Sequence, residues 1–555
     1  MKNYPWLKSY PKSVDWDHMI DSKPVYRLLN DAVKKYPENI AIDFFGNEIS
    51  YVDLKSLVNR AAKGLRNIGV KKGVRVGILL PNCPQYIISY YAILRAGGVV
   101  VQLSPLLSEK ELLHQINDSG AEILITTNLR ICYEKIASIT NGSSVNKVVV
   151  SKFSEYLPTL KSIGFQLLRR SSVMPMIKDG RQMHWSKLLV QDDDDEFEAE
   201  VINPEKDVAV LQYTGGTTGL PKAAMLTHAN VYANTIQCVH WCYELEKGKE
   251  RMLAVLPFFH VFAMTVVMNL SIEIGATIIL HPKFVLLDVL KDIVKKRPTL
   301  MPGVPTMFNA INMHPKLSRF DLTSLKLCVS GGAPLLQDIK EKFEKKTGCV
   351  LIEGYGLTEA APVVCFNPIS GKQKDGSIGL PMPQTTVTIE DPSNPGTNLP
   401  IGEVGELCVK GPQVMKGYWN NSSETENVLN NGKLRTGDMA KIDKDGYLYI
   451  VDRLKEMIIT GGFNVYPRNV EEAIQSHKSV KECAVVGVGD KHKGQLVKAY
   501  IVFEPGQEIS KDVLKNFLKD KLSKYEIPQE IEIIEELPKT MIGKISKKDL
   551  IKKDS

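Results

Sequence analysis

Two runs of alternating strand-like and helix-like segments do most to limit what this chain can fold into, one over the first ~150 residues and one from Asp207 onward. In the first run, 74–80, 99–102 and 121–126 read as apolar strands. Between them 85–95 is helical and closed by Gly97-Gly98, and Ser108-Glu109-Lys110-Glu111 has the form of a capping box opening the next helix. The second run places strands at 252–256, 277–280, 325–330 and 350–353, with helices at 261–272, 286–296 and 336–346. Strands alternating with helices argue for parallel sheets covered by helices, here two of them. From 385 to 449 the texture changes to short strands and turns, a β-rich subdomain. Beyond Asp452 a compact α+β unit is expected, with helices at 467–476 and 511–522 and strands at 482–488 and 498–503. At 555 residues the chain is too long for a single core. The expected fold is therefore α/β: a large N-terminal domain over 1–452 and a small α+β C-terminal domain over 453–555.

Inside the second run lies Tyr213-Thr214-Gly215-Gly216-Thr217-Thr218-Gly219-Leu220-Pro221-Lys222. It follows the strand-like 207–212, and the stretch 223–247 after it reads as helical, ending at Gly248. Glycines leave the backbone N–H groups free to turn toward an anion, the threonines add hydroxyls and Lys222 adds charge, which suggests polyphosphate binding. The familiar P-loop is excluded, because it needs Gly-Lys followed directly by Ser or Thr, whereas Leu220-Pro221 precedes Lys222 and Ala223 follows it. By glycine content alone the loop reads equally as a surface turn.

Further stretches stand at strand ends, where ligands of open α/β sheets gather. Ser330-Gly331-Gly332-Ala333-Pro334 and Gly354-Tyr355-Gly356-Leu357-Thr358-Glu359 leave room for a flat purine between the Gly332-Ala333-Pro334 backbone and the Tyr355 ring. Glu359 is a hard carboxylate of the type Mg²⁺ prefers. Thr436-Gly437-Asp438 offers a carboxylate for a ribose diol, with Arg453 downstream for ribose or phosphate contacts. Each of these, taken alone, also reads as an ordinary turn. His260, among the aromatics of Pro257-Phe258-Phe259-His260-Val261-Phe262, reads equally as structural or as bordering a pocket.

In order and spacing these stretches resemble the adenylate-forming superfamily of acyl-CoA synthetases, firefly-type luciferases and peptide-synthetase adenylation domains, over about 28–550. Ala96-Gly97-Gly98-Val99-Val100-Val101-Gln102-Leu103-Ser104-Pro105-Leu106, Lys416-Gly417-Tyr418-Trp419 and Gly462-Phe463-Asn464-Val465-Tyr466-Pro467 are most similar to bacterial long-chain fatty acid–CoA ligases. The resemblance implies ATP-dependent activation of a fatty acid to acyl-AMP, then thioester formation with CoA, with Mg²⁺ on the nucleotide. It assigns ATP or AMP to Thr214, Gly215, Thr217, Thr218, Lys222, Gly332, Ala333, Pro334, Gly354, Tyr355, Gly356, Thr358, Asp438, Arg453 and Lys544. Metal contact falls to Glu359 and Thr218, and catalytic work to Lys544, Thr218, Glu359 and His260. Lys544, in Pro538-Lys539-Thr540-Met541-Ile542-Gly543-Lys544-Ile545, is the implied cation for charge building on the α-phosphate. Lys455 takes the hinge position of a mobile C-terminal domain, and Gly461, Gly462, Phe463 and Asn464 face the CoA thiol arm. The stretches 261–274 and Pro302-Gly303-Val304-Pro305-Thr306 are expected to line an apolar tunnel for the acyl chain.

Several other readings are narrowed. Residues 456–462 lack the additional lysine frequent in aryl-CoA ligases, which favours an aliphatic acid over an aryl one, with a medium-chain acid as the other alternative. A luciferase-like oxidase and a catalytically silent binder are the other classes. A net charge of +7, with 70 basic and 63 acidic residues interspersed, gives no argument for nucleic acid. Nine cysteines without framework spacing and an N-terminus without a signal-like apolar core fit the cytoplasm. Cys238 and Cys242 share a helical face and read as a buried seam. Residues 155–187 mix apolar and basic side chains, so they read either as a peripheral contact with anionic membrane or as a surface excursion packed on its own domain. Lys547, Lys548, Lys552 and Lys553 read as a solvated tail, and pairing of two copies into a homodimer is left open.

Overall fold

The computed structural model describes residues 4–177, 179–190, 197–214, 221–461, 463–490, 494–539 and 545–554. The chain divides into two compact units, one of Met1–Thr386 with Val409–Leu434 and the other of Val387–Cys408 with Arg435–Ser555.

The first unit contains the two expected sheets. One has seven strands in the order Gln182–His184, Lys147–Ser151, Ile123–Thr127, Arg75–Leu79, Val99–Gln102, Val208–Thr214 and Lys222–Thr227. Every neighbouring pair is parallel except the last. Its strands Val99–Gln102 and Ile123–Thr127 are buried at every position, as a sheet covered on both faces requires, which is why they read as unbroken apolar runs. The second sheet has nine strands, with Leu380–Pro381 at one edge and Asn47–Ser50 at the other. Its middle is parallel and carries Arg251–Ala254, Thr277–Leu280, Leu300–Gly303, Leu327–Ser330 and Val350–Gly356. The capping box at Ser108 forms as expected, with both reciprocal bonds present.

The reading of 223–247 as helix is corrected. Lys222–Thr227 is a strand, and the helix runs from His228 to Trp241. Ala, Met and Leu favour helix, but pairing on both sides overrides that weak preference. On one side lies Val208–Thr214, on the other the segment 415–419, with Met225 N donating to Gly417 O at 2.8 Å and Trp419 N to Ala223 O at 2.8 Å. Thr227 then starts the helix, its hydroxyl accepting Asn230 N while the Asn230 side chain accepts Thr227 N. Cys238 and Cys242 are buried, and burial pushes the Cys242 thiol up to about 12. The expected helix over 261–272 is a π-helix at Ala263–Asn269 continued by an α-helix at Leu270–Glu273, buried throughout its π turn.

Within 155–187, Thr159–Leu168 is a helix with no buried residue, while Gln182–His184 joins the sheet edge and Trp185 is buried. Among the described residues no helix is long and apolar enough to cross a membrane.

The second unit has the expected β-rich texture, with Lys433–Ile442 and Leu448–Arg453 antiparallel, followed by an α+β module. There Val480–Asp490 and Gly494–Phe503 form a long antiparallel pair, extended by Ile458–Thr460 and Phe463–Val465 and by the parallel strand Glu530–Ile533. Pro467–Gln475 and Lys511–Lys519 contribute Val470, Ile474, Leu514 and Leu518 to one buried cluster with Val485, Val497 and Ile501 of the sheet.

Candidate active site

In the first unit the strands Val208–Thr214 and Lys222–Thr227, on either side of the glycine-threonine stretch, pair antiparallel. Thr214 and Lys222 are cross-strand neighbours, and Gly215, Thr217 and Thr218 lie outside the described residues. The Lys222 ammonium pairs with the Glu424 carboxylate and sits 4.9 Å from the centre of the Tyr418 ring. The Tyr418 hydroxyl donates to Glu359 Oε1 at 2.7 Å, and Met415 N donates to Glu359 O at 2.8 Å. Burial, and then the neighbouring Glu359 charge, push the Tyr418 phenol up, so it remains a donor. Tyr418 and Glu424 were not among the residues that sequence assigned to the site. Tyr418 stands 59 positions from Glu359, and only the pairing of 415–419 with the 222–227 strand brings them together.

The two candidate purine-flanking segments are also neighbours. Ser330 and Glu353 are in register at the carboxyl ends of adjacent parallel strands, and Leu335 N donates to Glu353 Oε1 at 3.3 Å. Gly332 has φ +79°, a conformation that favours glycine. Gly354 and Gly356 have a packing reason of their own. A Cβ on the first would meet the Phe366 ring at 2.0 Å, and on the second the Pro362 carbonyl oxygen at 2.2 Å. Thr358 opens the short turn Thr358–Ala360 that presents Glu359.

His260 follows the Arg251–Ala254 strand, and its Nδ1 accepts Phe262 N at 3.3 Å. Buried amides fix this turn between the sheets. Gln212 donates to Phe259 O at 2.9 Å, and Asn82 both donates to Leu256 O at 2.8 Å and accepts Phe258 N at 2.9 Å. The π-helix that follows is pinned by Thr265, whose hydroxyl donates to Ala361 O at 2.7 Å, and by Tyr91, whose hydroxyl donates to Asn269 Oδ1 at 2.8 Å.

In the second unit Asp438 and Arg453 face each other across the strand pair, Nε to Oδ1 at 3.4 Å. Asp438 N donates to Thr436 Oγ1 at 3.1 Å, and the neighbouring Glu406 carboxylate takes Gly437 N at 3.1 Å and two Arg435 nitrogens. Lys455 is exposed in a turn, and Gly461 has φ +57°. Phe463 and Asn464 are exposed, the Phe463 ring stacked on Tyr525 at 4.6 Å. Gly462 and Lys544 lie outside the described residues. The chain on either side of 540–544 is nevertheless joined, with Lys539 and Ile545 bridged antiparallel and Ser546 N donating to Pro538 O at 2.7 Å.

The reading of Lys547 as solvated tail is corrected. Its side chain is 18% exposed and pairs with Glu471 at 2.9 Å and Glu456 at 3.1 Å. Three residues on, Leu550 is buried with Ala484, Val486 and Tyr500, which holds the helix Lys547–Asp554 against the sheet. Lys548 is exposed, as expected. Beside this cluster, burial raises the Asp452 carboxyl from 3.8 to about 6, against the pull of Lys547 and of the Arg468 and Arg453 N–H groups. An acid whose folded value lies above its unfolded one favours folding fully below pH ~4 and loses that contribution as pH rises through ~6. Asp452→Asn is therefore expected to flatten the stability profile between these limits, by about 2 kcal/mol across the window. Urea midpoints measured from pH 4 to pH 8 test this, and an unchanged slope in the variant would contradict it.

Among the described residues no group of three or more His, Cys, Asp or Glu side chains could hold a metal unaided. An oriented lone carboxylate such as Glu359 suits Mg²⁺ that takes most of its remaining ligands from phosphate and water.

Residues 29–419 match the AMP-binding enzyme family, and 469–544 match the AMP-binding enzyme C-terminal domain. The long-chain-fatty-acid–CoA ligase of Bacillus subtilis (strain 168) is 42% identical over 552 residues, covering 99% of this chain and 98% of that one. The feruloyl-CoA synthase of Amycolatopsis sp is 37% identical over 513 residues, covering 92% and 95%. Among solved structures, ATP-bound MatB from Rhodopseudomonas palustris superposes with a TM-score of 0.81 at 29% identity, covering 96% of this chain and 98% of that one. With two helix-covered sheets, glycine-rich turns at their strand ends and a family match over most of its length, this chain belongs to the AMP-binding enzyme family.

Proposed function

We propose that the protein activates a long-chain fatty acid with ATP, forming acyl-AMP and diphosphate, and then transfers the acyl group to the thiol of CoA with release of AMP. The observation that carries this reading is the end-to-end likeness to a long-chain-fatty-acid–CoA ligase at 42% identity. The fatty carboxylate attacks the α-phosphorus and diphosphate leaves, so negative charge grows on phosphate oxygens. Lys222 and the loop bearing Thr214, Gly215, Thr217 and Thr218 hold the outer phosphates. Gly332, Ala333 and Pro334 flank the purine with Tyr355, while Gly354, Gly356 and Thr358 shape that wall. Asp438 accepts the ribose hydroxyls, and Arg453 orients it. Glu359, with Thr218, would hold Mg²⁺, which when bound neutralises part of the triphosphate charge. His260 borders the carboxylate, and the buried stretch after it, with 302–306, lines the acyl channel. Lys544 meets the α-phosphate in the first step. Residues 453–555 then turn about Lys455, so that Gly461, Gly462, Phe463 and Asn464 guide the CoA arm in the second.

The likeness to a feruloyl-CoA synthase supports one second reading, an aryl acid as substrate. Diphosphate release measured with acetate, octanoate, palmitate and ferulate, before and after CoA addition, separates the two. Preference for palmitate supports the first, and preference for ferulate overturns it.

A fatty substrate partitions into lipid, and we place the protein in the cytoplasm with a membrane contact at 155–187. There Leu160, Ile163, Leu167 and Leu168 are 52–85% exposed beside the exposed cations Lys161, Arg169 and Arg170. Leu160→Asp with Leu167→Asp is expected to abolish co-sedimentation with anionic vesicles and leave activity on dispersed palmitate intact. Equal sedimentation of variant and wild type would remove this contact.

A further inference from the structure

Tyr418 touches two charged groups, Lys222 and Glu359. Its ring lies under the Lys222 ammonium at 4.9 Å, and its hydroxyl donates to Glu359 Oε1 at 2.7 Å. The residue has little freedom of its own. It is 7% exposed, bridged to Ala224, and its N–H donates to Thr425 Oγ1 at 2.9 Å. Glu424, on the helix Ser422–Val428 capped by Asn421, also pairs with Lys222. One buried aromatic ring thus acts as a spacer of fixed length between a cation and a carboxylate.

We propose that Tyr418 is a positioning residue that sets Glu359 and Lys222 at the separation a magnesium–triphosphate complex needs, and that Glu424 keeps the Lys222 ammonium paired until a phosphate replaces it. This rests on the reading above that Glu359 is the metal carboxylate and Lys222 a phosphate cation. The physical basis is orientational. A carboxylate can rotate about its last torsion, and a hydrogen bond to one oxygen fixes where the other points. Residues that orient a metal ligand in this way typically change metal affinity by about 10–100-fold when removed. The cation has a different dependence. Glu424 competes with phosphate for Lys222, so removing its charge strengthens nucleotide binding whether or not metal is present.

The test uses full-length protein, Mn²⁺ as a paramagnetic probe and a non-hydrolysable ATP analogue. Tyr418→Phe keeps the ring and removes only the hydroxyl. It is expected to weaken Mn²⁺–nucleotide binding, read by electron paramagnetic resonance, about 10-fold or more. Metal-free nucleotide affinity, thermal midpoint and the KM for palmitate are expected to stay near wild type. Glu424→Gln is expected to tighten metal-free nucleotide binding several-fold, to about the extent that a competing ion pair is removed. Wild-type Mn²⁺–nucleotide affinity in Tyr418→Phe, or an equal loss with and without metal, overturns the positioning role. Unchanged or weaker nucleotide binding in Glu424→Gln overturns the exchange. Glu359→Gln run in parallel tells the two levels apart. If it retains full Mn²⁺–nucleotide affinity, the metal assignment itself falls, whereas loss there beside an unaffected Tyr418→Phe sinks this proposal alone.

Discussion

Replacing Lys544 by alanine is expected to slow acyl-AMP formation by about 10²–10³-fold while leaving acyl transfer from preformed acyl-AMP to CoA near the wild-type rate. The asymmetry follows from where charge develops. In the first step phosphate oxygens gain charge as diphosphate departs, and a cation already in place stabilises that change without reorganisation. In the second, a thiol displaces AMP from a carbonyl, and no diphosphate leaves. Lys544 itself lies outside the described residues, and only the chain on either side of it is described. The chain departs at Lys539 and returns at Ile545 as bridged neighbours, and Lys539 is itself tied to Glu482 at 2.8 Å. Single-turnover assays of each half-reaction read the split directly. Equal loss in both would show that the residue supports the fold or the CoA step, and no loss in the first would end its assignment.

Lys547→Ala is expected to destabilise the second unit by about 3–5 kcal/mol, far more than an exposed lysine three residues from Lys544 would. The argument is one of uncompensated charge. Glu456 and Glu471 share this ammonium, and Asp452 lies close enough to feel it. Glu471 Oε1 also accepts Val485 N at 2.8 Å, so it is anchored to the sheet and cannot turn to water without breaking that bond. Removing the cation leaves neighbouring carboxylates in a half-buried site, where their repulsion is weakly screened. Lys547→Arg keeps the charge and should recover most of the loss. Urea unfolding followed in the C-terminal unit, for both variants, gives the comparison. A midpoint shift worth less than ~0.5 kcal/mol for the alanine variant would return Lys547 to the solvated surface.

These two lysines stand three positions apart, yet sequence treated them differently and was corrected on one. Lys544 was assigned because it sits in a recognisable motif, and it lies outside the described residues. Lys547 was not, because a lysine-rich end has the composition of a solvated tail and its partners come from segments far upstream. The same division runs through the site. Asp438 and Arg453 were assigned together, and they do pair, because a strand pair with a short turn brings residues of one hairpin face to face. Tyr418 was quoted only for its likeness to long-chain ligases, since nothing in its own neighbourhood points to Glu359.

By itself the sequence determined the α/β class, two helix-covered sheets, a β-rich segment with a C-terminal α+β module, and the order of the glycine-rich turns. Each of these is local information, since apolar runs, caps and turn residues act over a few positions. Tertiary structure decided what local preference could not. It made a strand of Lys222–Thr227 because both edges found partners, and opened a π turn at Ala263–Asn269. It also gave Lys547 its two carboxylates and set Tyr418 between Lys222 and Glu359. Edge pairing and charge pairing between distant segments outweigh propensities worth only tenths of a kcal/mol per residue, about the scale that sequence patterns report.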